Sequence, residues 1–443
     1  MSLPASNGPV YPLPREEFRR ALATGHGRVK LHVERFGAVE FREEILDAAT
    51  ACKAYDPQCE GTRADWLADL CLAAGIEHEV VALPVPEKHW DRNQRAALLK
   101  ELAARNVPGA REALYACFGP VEHLGDWYAS EELIRLDGEA GLLFVVRALG
   151  ASLLERGITT ASDYELSVFD ETHGEGAGRK FLDSLAPSDS GVRAYLAAID
   201  HAASPRAHAA TAVDRPRRSL EEVLEAIRTN TEEYMIGWVG NWGRRANREE
   251  QQRLLEFLLA TSAPREMEGA LRCLAGGGLP PLHPRIFELT RHEDRQVRFW
   301  AGRVLSKHSL PGARAFGLEA LARGDLVVGL EILTRSAQVD DVETLVAALR
   351  PLDDSHQEHS MGFGIFGLFE HSPEVRDARL ALHAYERTPC MNCRESAVEF
   401  LVDRHEAPPW LLEECAFDAN ENIHELTSAA REPPIGGQHR GGD

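Results

Sequence analysis

The segment 234–248 contains residue types that bind aromatic bases, phosphates or acidic peptides. It reads Tyr-Met-Ile-Gly-Trp-Val-Gly-Asn-Trp-Gly-Arg-Arg-Ala-Asn-Arg, so Trp238 and Trp242 are four residues apart and share one face of a helix. Three arginines follow directly, at Arg244, Arg245 and Arg248. Aromatic planes beside guanidinium groups can stack on a base and can hold a carboxylate or phosphate. The pattern predicts a ligand-binding surface.

A packing interpretation competes with this one. In the packing interpretation, both tryptophans pack between helices, and the positive charges of the arginines are neutralised by neighbouring glutamates.

Arg298 and Trp300 would flank the predicted ligand-binding surface if successive helices stack in chain order. The candidate ligand-binding residues are therefore Trp238, Trp242, Arg244, Arg245, Arg248, Arg298 and Trp300. No catalytic residue is assigned, because the sequence has no glycine-rich phosphate loop after a strand and no Gly-x-Ser-x-Gly turn.

Cys390 and Cys393 have the Cys-x-x-Cys spacing of redox pairs and of zinc ligands. A helix that starts near Cys390 would lower the pKa of its thiol. A redox site of the thioredoxin type needs a βαβ context, and a zinc site needs two more ligands. His405 and Cys415 do not fall at familiar spacings for that role. We therefore expect these cysteines to be buried small side chains, and we predict no metal and no cofactor.

Two other short segments place carboxylates close to histidines. They are Asp353-Asp-Ser-His-Gln-Glu-His359 and Asp170-Glu-Thr-His173. A metal site on a helix, such as His-Glu-x-x-His, fixes the geometry of its ligands. Neither segment has an apolar period that predicts a helix, so we interpret both as solvated loops.

The elements that would position these residues are helices. Apolar residues make up 44% of the chain, but aromatic residues only 7%, and Ala, Leu, Glu and Arg dominate, which favours helix over sheet. Only Val80–Val85 could pass for a strand in the first half, and Pro84 argues against it. The predicted divisions are a flexible leader (1–13), a helical array (14–157), an insertion or hinge (158–215), a second array (216–431) and a disordered tail (432–443).

One pattern recurs along the chain. Asp294-Arg-Gln-Val-Arg-Phe-Trp-Ala-Gly-Arg-Val-Leu305 places Val297, Ala301, Val304 and Leu305 on one side of a helix. Its apolar-Arg spacing returns at 393–401, at 313–321 and at 110–118. In the first of these echoes, Cys390 takes the position of Asp294. Since one amphipathic helix cannot bury its stripe alone, such repeats predict stacked helix pairs with a shared core.

The helix that begins at Asp294 resembles the second helix of a HEAT repeat. The segments Thr388–Arg394 and Tyr55–Glu60 resemble uncharacterised bacterial HEAT-like proteins. The resemblance implies an all-α fold, namely an α-solenoid of stacked antiparallel helix pairs. It also implies second helices on the concave side and Asp/Arg pairs between neighbouring repeats. It implies no activity.

The charge of the chain limits its partners. The formal net charge is −21, and an acidic chain gains no non-specific affinity for phosphate backbones or for anionic membrane. The sequence also has no apolar run long enough to span a bilayer and no signal peptide pattern, and its cysteines form no disulfide framework. We therefore expect a cytoplasmic protein with a protein partner.

The first functional hypothesis is a non-catalytic scaffold that binds a protein through a concave surface. The alternative is a nucleic-acid-associated protein similar to HEAT-like DNA glycosylases, which use concave aromatics with basic residues. Nucleic acid is disfavoured by the net charge. A third hypothesis is an enzyme that uses residues 158–215 as a lid.

Overall fold

The structure is a computed structural model of the chain. It describes residues 8–61, 63–120, 127–203, 217–229, 235–277, 283–307, 310, 312–352 and 354–431. The fold is all-α, as the composition predicted. The chain divides into two compact units, Pro9–Asp214 with Glu413–His424, and Arg215–Leu412 with Met1–Gly8 and Glu425–Asp443. They are called the first and the second unit below.

The first unit consists of helices of four to eighteen residues. They are α1 (Arg15–Thr24), α2 (Arg28–Phe36), α3 (Arg42–Thr50), α4 (Pro57–Glu60), α5 (Ala64–Ala74), α6 (Glu77–Ala82), α7 (His89–Ala104), α8 (Ala110–Cys117), α9 (Ser130–Asp137), α10 (Glu139–Arg156), α11 (Tyr164–His173), α12 (Ala177–Leu185) and α13 (Ser190–Ala202). In α1, Phe18, Ala21 and Leu22 form the buried stripe, and the left-handed Gly25 ends the helix.

A two-residue strand pair interrupts the helices of this unit. Gly119–Pro120 (β1) and Trp127–Tyr128 (β2) run antiparallel, with Gly119 opposite Tyr128. The Val80–Val85 segment does not form a strand. Its first three residues are the second half of α6. Val80 is fully buried there, so its apolar run serves helix packing.

Residues 164–202, inside the predicted insertion or hinge, contribute three helices to the core of the first unit. Leu166 and Phe169 of α11 and Leu182 of α12 are buried in the same apolar cluster as α7 and α10. The predicted loop over Asp170–His173 is therefore wrong, because these residues are the last turn of α11. The chain turns at 174–176, between α11 and α12, and again at 186–189, between α12 and α13.

The segment Glu413–His424 completes the first unit, although it is distant in sequence. Trp66 Nε1 donates to the carbonyl of Phe417 at 2.9 Å, and Ala419 N donates to the carbonyl of Gly25 at 2.9 Å. Gly27 lies so close to this segment that a Cβ at its position would be 1.9 Å from the carbonyl oxygen of Glu414. A residue other than glycine at position 27 would push the segment away.

The second unit is a run of helix pairs. Its helices are α14 (Leu220–Thr229), α15 (Met235–Arg244), α16 (Arg248–Ala260), α17 (Pro264–Gly276), α18 (Pro284–Leu289), α19 (Arg295–Ser306), α20 (Ala313–Ala322), α21 (Leu326–Leu333), α22 (Val342–Ala348), α23 (Ser355–His371), α24 (Ala378–Arg387) and α25 (Met391–Asp403). Two further helices follow in the chain, α26 (Pro409–Cys415) and α27 (Glu421–Arg431), and their residues from 413 to 424 belong to the first unit.

The helix pairs of this unit pack in chain order. One layer consists of α15, α17, α19, α21, α23 and α25, which we call the second helices because each is the later helix of its pair. Each of them contacts the next second helix along the chain. The helices α20, α22 and α24 form the other layer. The predicted echo at 313–321 belongs to α20, in that second layer, and not to the layer of α19. The second helix of that pair is α21, whose eight residues are all buried, so it carries no one-sided apolar pattern to recognise.

Aspartates begin three successive second helices. Asp294, Asp325 and Asp354 are the N-cap residues of α19, α21 and α23, and Cys390 has this position in α25. The carboxylate of Asp294 accepts from Val297 N at 3.0 Å. That of Asp325 accepts from Arg298 Nε of the preceding second helix at 2.6 Å. The first contact caps α19, and the second joins α21 to α19.

The sequence also predicts two capping boxes, at Ser219-Leu-Glu-Glu222 and at Asn247-Arg-Glu-Glu250, and both are confirmed. Glu222 N donates to Ser219 Oγ, and Glu250 N donates to Asn247 Oδ1.

The predicted loop at Asp353–His359 is wrong from Ser355 onward, because α23 starts there. Its polar first turn is stabilised by the buried Glu358, which binds Arg387. No local sequence pattern reveals this contact.

Some of the predictions fall outside the described residues. They concern Asp353, most of the predicted leader (1–7) and the predicted tail (432–443).

No helix in the described ranges is long and apolar enough to cross a membrane.

Asp341 gives the second unit a pH-dependent contact. Its carboxylate is 2% exposed and accepts from Arg314 Nε at 2.8 Å and from Gln338 N at 2.9 Å. Burial alone would raise its pKa, but the Arg314 bonds outweigh burial, so the pKa lies below its usual value. A lowered pKa in the folded state means that the stabilisation is present above the unfolded pKa of about 3.9 and is lost as pH falls further.

We expect Asp341→Asn to lower the free energy of unfolding by about 1–3 kcal/mol at pH 7, because the buried charge-assisted bonds are weakened. The difference from the unaltered protein should shrink as pH falls below about 4. Urea unfolding at several pH values measures both effects. Asp340→Asn, at the exposed neighbouring position, is the control and should change little. A difference that grows on acidification would contradict the argument.

Candidate functional site

Cys390 and Cys393 lie at the start of α25, just after a short link from α24. Cys390 is the N-cap residue and Cys393 is in the first turn, so both thiols point to one side of the helix start. The backbone N–H of Cys390 donates to Thr388 Oγ1 at 3.3 Å, which holds the link in place. Both side chains are buried, at 5% and 6% exposure. The expectation of buried cysteines is confirmed.

His359 of α23 joins the two cysteines. Its Nδ1 is 3.7 Å from Cys393 Sγ, and one ligand atom from each of the three side chains lies within 4.8 Å of the other two. The His359 ring is half-buried and packs edge-on against Phe363, which is 56% exposed. The cluster therefore sits just below the surface, with His359 on its outer side.

The electrostatics of the cluster favour a thiolate at Cys390. A hydrogen bond from Cys393 and the nearby His359 lower the pKa of Cys390 to about 4, although burial acts in the opposite direction. The start of α25 adds a favourable dipole. Cys71 and Cys273 differ, because burial raises the pKa of each thiol to about 12. Cys390 thus has the charge state of a metal ligand or nucleophile, and those two do not.

Sequence reasoning missed His359 for two reasons. It assigned residues 353–359 to a loop, and it searched for further ligands only after Cys393. The signal that could have found His359 is Asp354, whose carboxylate accepts from His356 N at 2.9 Å and so starts a helix through the polar segment. The packing of α23 on α25 then brings position 359 to the cysteines.

The predicted tryptophan and arginine surface has a different geometry. Trp242 is 5% exposed, and its Nε1 donates to the carbonyl of Arg218 at 2.7 Å. The Arg217 guanidinium lies 4.7 Å from the centre of its ring, and Arg218 lies 4.3 Å from the ring of the partly buried Trp238. Guanidinium groups of the same chain therefore cover the tryptophan faces that a ligand would use.

Arg298 and Trp300 are engaged within the second unit. Arg298 binds Asp325 and also donates to the carbonyl of His292 at 2.8 Å. The Trp300 ring faces the Arg272 guanidinium at 4.5 Å.

The remaining candidates are three exposed arginines. Arg244 ends α15, Arg248 begins α16, and Arg245 lies in the link between them. Within the described part of the chain, none of the three forms an ion pair. Other exposed arginines of the unit do, for example Arg291 with Glu319 and Arg404 with Glu406.

No protein-family model, no curated protein and no solved structure matches this chain.

Proposed function

We propose that this protein is a helical-repeat scaffold that binds an acidic segment of another protein through Arg244, Arg245 and Arg248. The stacked helix pairs of the second unit would form a degenerate α-solenoid of the HEAT type. The proposed function is binding and not catalysis.

The observation that carries this proposal is the group of three exposed arginines without ion pairs. In a chain of net charge −21, carboxylates are plentiful, and other exposed arginines of the second unit, such as Arg291, Arg323 and Arg404, are paired with them. A guanidinium group binds a carboxylate through two parallel hydrogen bonds. Arg244, Arg245 and Arg248 lie within five residues, so an acidic peptide can offer one carboxylate to each of the three guanidinium groups.

A protein partner fits this charge distribution better than nucleic acid does. A polyanion would meet repulsion from the acidic surface along its whole length, whereas a short acidic segment meets only the local charges. At physiological salt the field of exposed charges is screened beyond about 8 Å, so the three arginines can act locally. Nucleic acid binding remains an outcome of the test.

The test measures fluorescence anisotropy of a labelled ten-residue Asp/Glu peptide and of labelled oligo-dT with the full chain. We expect the peptide to bind, and the triple variant R244E/R245E/R248E to bind it at least about tenfold more weakly, since three attractive contacts become repulsive. Arg156→Glu is the matched control. Like Arg244 it is an exposed arginine at a helix end without an ion pair among the described residues.

Equal peptide affinity of the triple variant and the unaltered protein would overturn the proposal. So would tighter binding of oligo-dT than of the peptide with a steep dependence on salt, because that result indicates phosphate contacts.

A further inference from the structure

We propose that His359, Cys390 and Cys393 bind one Zn²⁺ ion and leave its fourth coordination position open. This site is independent of the proposed peptide surface, since it lies on α23 and α25 and shares no residue with the three arginines.

The spacing of the donor atoms fits tetrahedral zinc. Zn–S bonds of about 2.3 Å and Zn–N bonds of about 2.0–2.1 Å at a tetrahedral angle place sulfur and nitrogen about 3.6 Å apart, and two sulfurs about 3.8 Å apart. Cys393 Sγ and His359 Nδ1 are 3.7 Å apart, and the three ligand atoms lie within 4.8 Å of one another. Only small side-chain rotations are needed to close the site around an ion.

The donor types also select zinc. Two thiolates and an imidazole are ligands of zinc sites, whereas Mg²⁺ and Ca²⁺ prefer oxygen. On binding, the ion replaces any proton that remains on the sulfurs, and this proton passes to solvent. No oxidation or reduction takes place.

The position of Cys390 in the repeat is a second, independent argument. The three preceding second helices begin with Asp294, Asp325 and Asp354. In α25 a thiol replaces the carboxylate, and it does so in the pair whose neighbour α23 supplies a histidine. Helix capping does not account for this, because a thiol is a poorer cap than a carboxylate and Cys390 makes no side-chain cap bond.

The fourth position follows from the set of ligands. Within the part of the chain that the structure describes, the group of His, Cys, Asp and Glu around this point has three members. Three protein ligands with a fourth position for water or another molecule are typical of zinc sites that act on a bound molecule, while structural sites have four protein ligands. His359 is half-buried beside the exposed Phe363, so this position is near the surface.

The experiment titrates the reduced, metal-free full chain with Co²⁺ and then with Zn²⁺. We expect one equivalent of Co²⁺ to give tetrahedral d–d bands and a thiolate-to-metal charge-transfer band, and one equivalent of Zn²⁺ to remove them. Cys390→Ser, Cys393→Ser and His359→Asn should each weaken Zn²⁺ binding by more than about 100-fold, because even the partners of metal ligands contribute 10–100-fold. Cys59→Ser and His405→Asn are controls at exposed positions and should bind normally.

A second readout does not depend on the folding of any variant. Alkylation of Cys390 and Cys393 in the unaltered protein at pH 8, followed by mass spectrometry, should proceed without metal and should be blocked by one equivalent of Zn²⁺. Cys273 should stay unmodified in both cases, because it is buried with a raised pKa. The site is wrong if Zn²⁺ does not bind in stoichiometric amount, if it binds but leaves Cys390 reactive, or if the ligand variants bind as tightly as the controls.

Discussion

Arg28→Met will lower the free energy of unfolding of the first unit by about 3–5 kcal/mol, the usual cost of removing one partner from a buried ion pair. Arg28 and Glu414 are each 1% exposed, and Arg28 Nη2 lies 2.9 Å from Glu414 Oε2. The substitution leaves the Glu414 carboxylate buried with Tyr11 as a hydrogen-bond donor but without its guanidinium partner. Because Glu414 belongs to the segment 413–424, we expect the substitution also to detach this segment partially from the rest of the first unit.

Chemical denaturation measures the loss, and proteolysis at residues 413–424 reports the release of the segment. Arg35→Met is the control on the same helix, since Arg35 pairs with Glu413 and both side chains are well exposed. Exposed pairs contribute about 0–1 kcal/mol, so the two variants should differ clearly. Similar losses in both would show that the buried pair has no special role.

Gly243→Ala will destabilise the second unit by about 3 kcal/mol, at the upper end of the usual cost of overpacking. A Cβ at position 243 would lie 2.0 Å from the carbonyl oxygen of Cys273, a backbone atom that cannot rotate away. Helices α15 and α17 would have to separate. Gly243 thus serves a close crossing of α15 and α17.

Gly240→Ala is the matched control on the same helix. A Cβ at position 240 would meet nothing within 4 Å, so the variant should gain about 0.5–1 kcal/mol from the lower entropy of the unfolded chain. Urea unfolding of the two variants should therefore shift in opposite directions. A loss of the same size at both positions would mean that α15 is sensitive to any added side chain and not to the contact with Cys273.

The local elements of this fold could be read from the sequence because their causes are local. The helical spacing of apolar residues predicts helices at 28–36 and 90–104, and α2 and α7 match these bounds within one residue. The Ser219 and Asn247 capping boxes mark two helix starts. Helices whose cause is not local were misassigned. The first turn of α23 is polar, and α21 is apolar on every side.

The candidate sites show the same difference between features with a local cause and features that depend on tertiary packing. The sequence by itself determined that Cys390 and Cys393 share one helix start and that three arginines cluster between two helices, because these residues are near neighbours in the chain. Only the tertiary structure decided that His359, 34 residues before Cys393, lies beside the thiols. It also decided that arginines of the same chain cover Trp238 and Trp242. The physical reason is that helix formation depends on residues three or four apart, whereas a three-ligand site depends on which helices pack together.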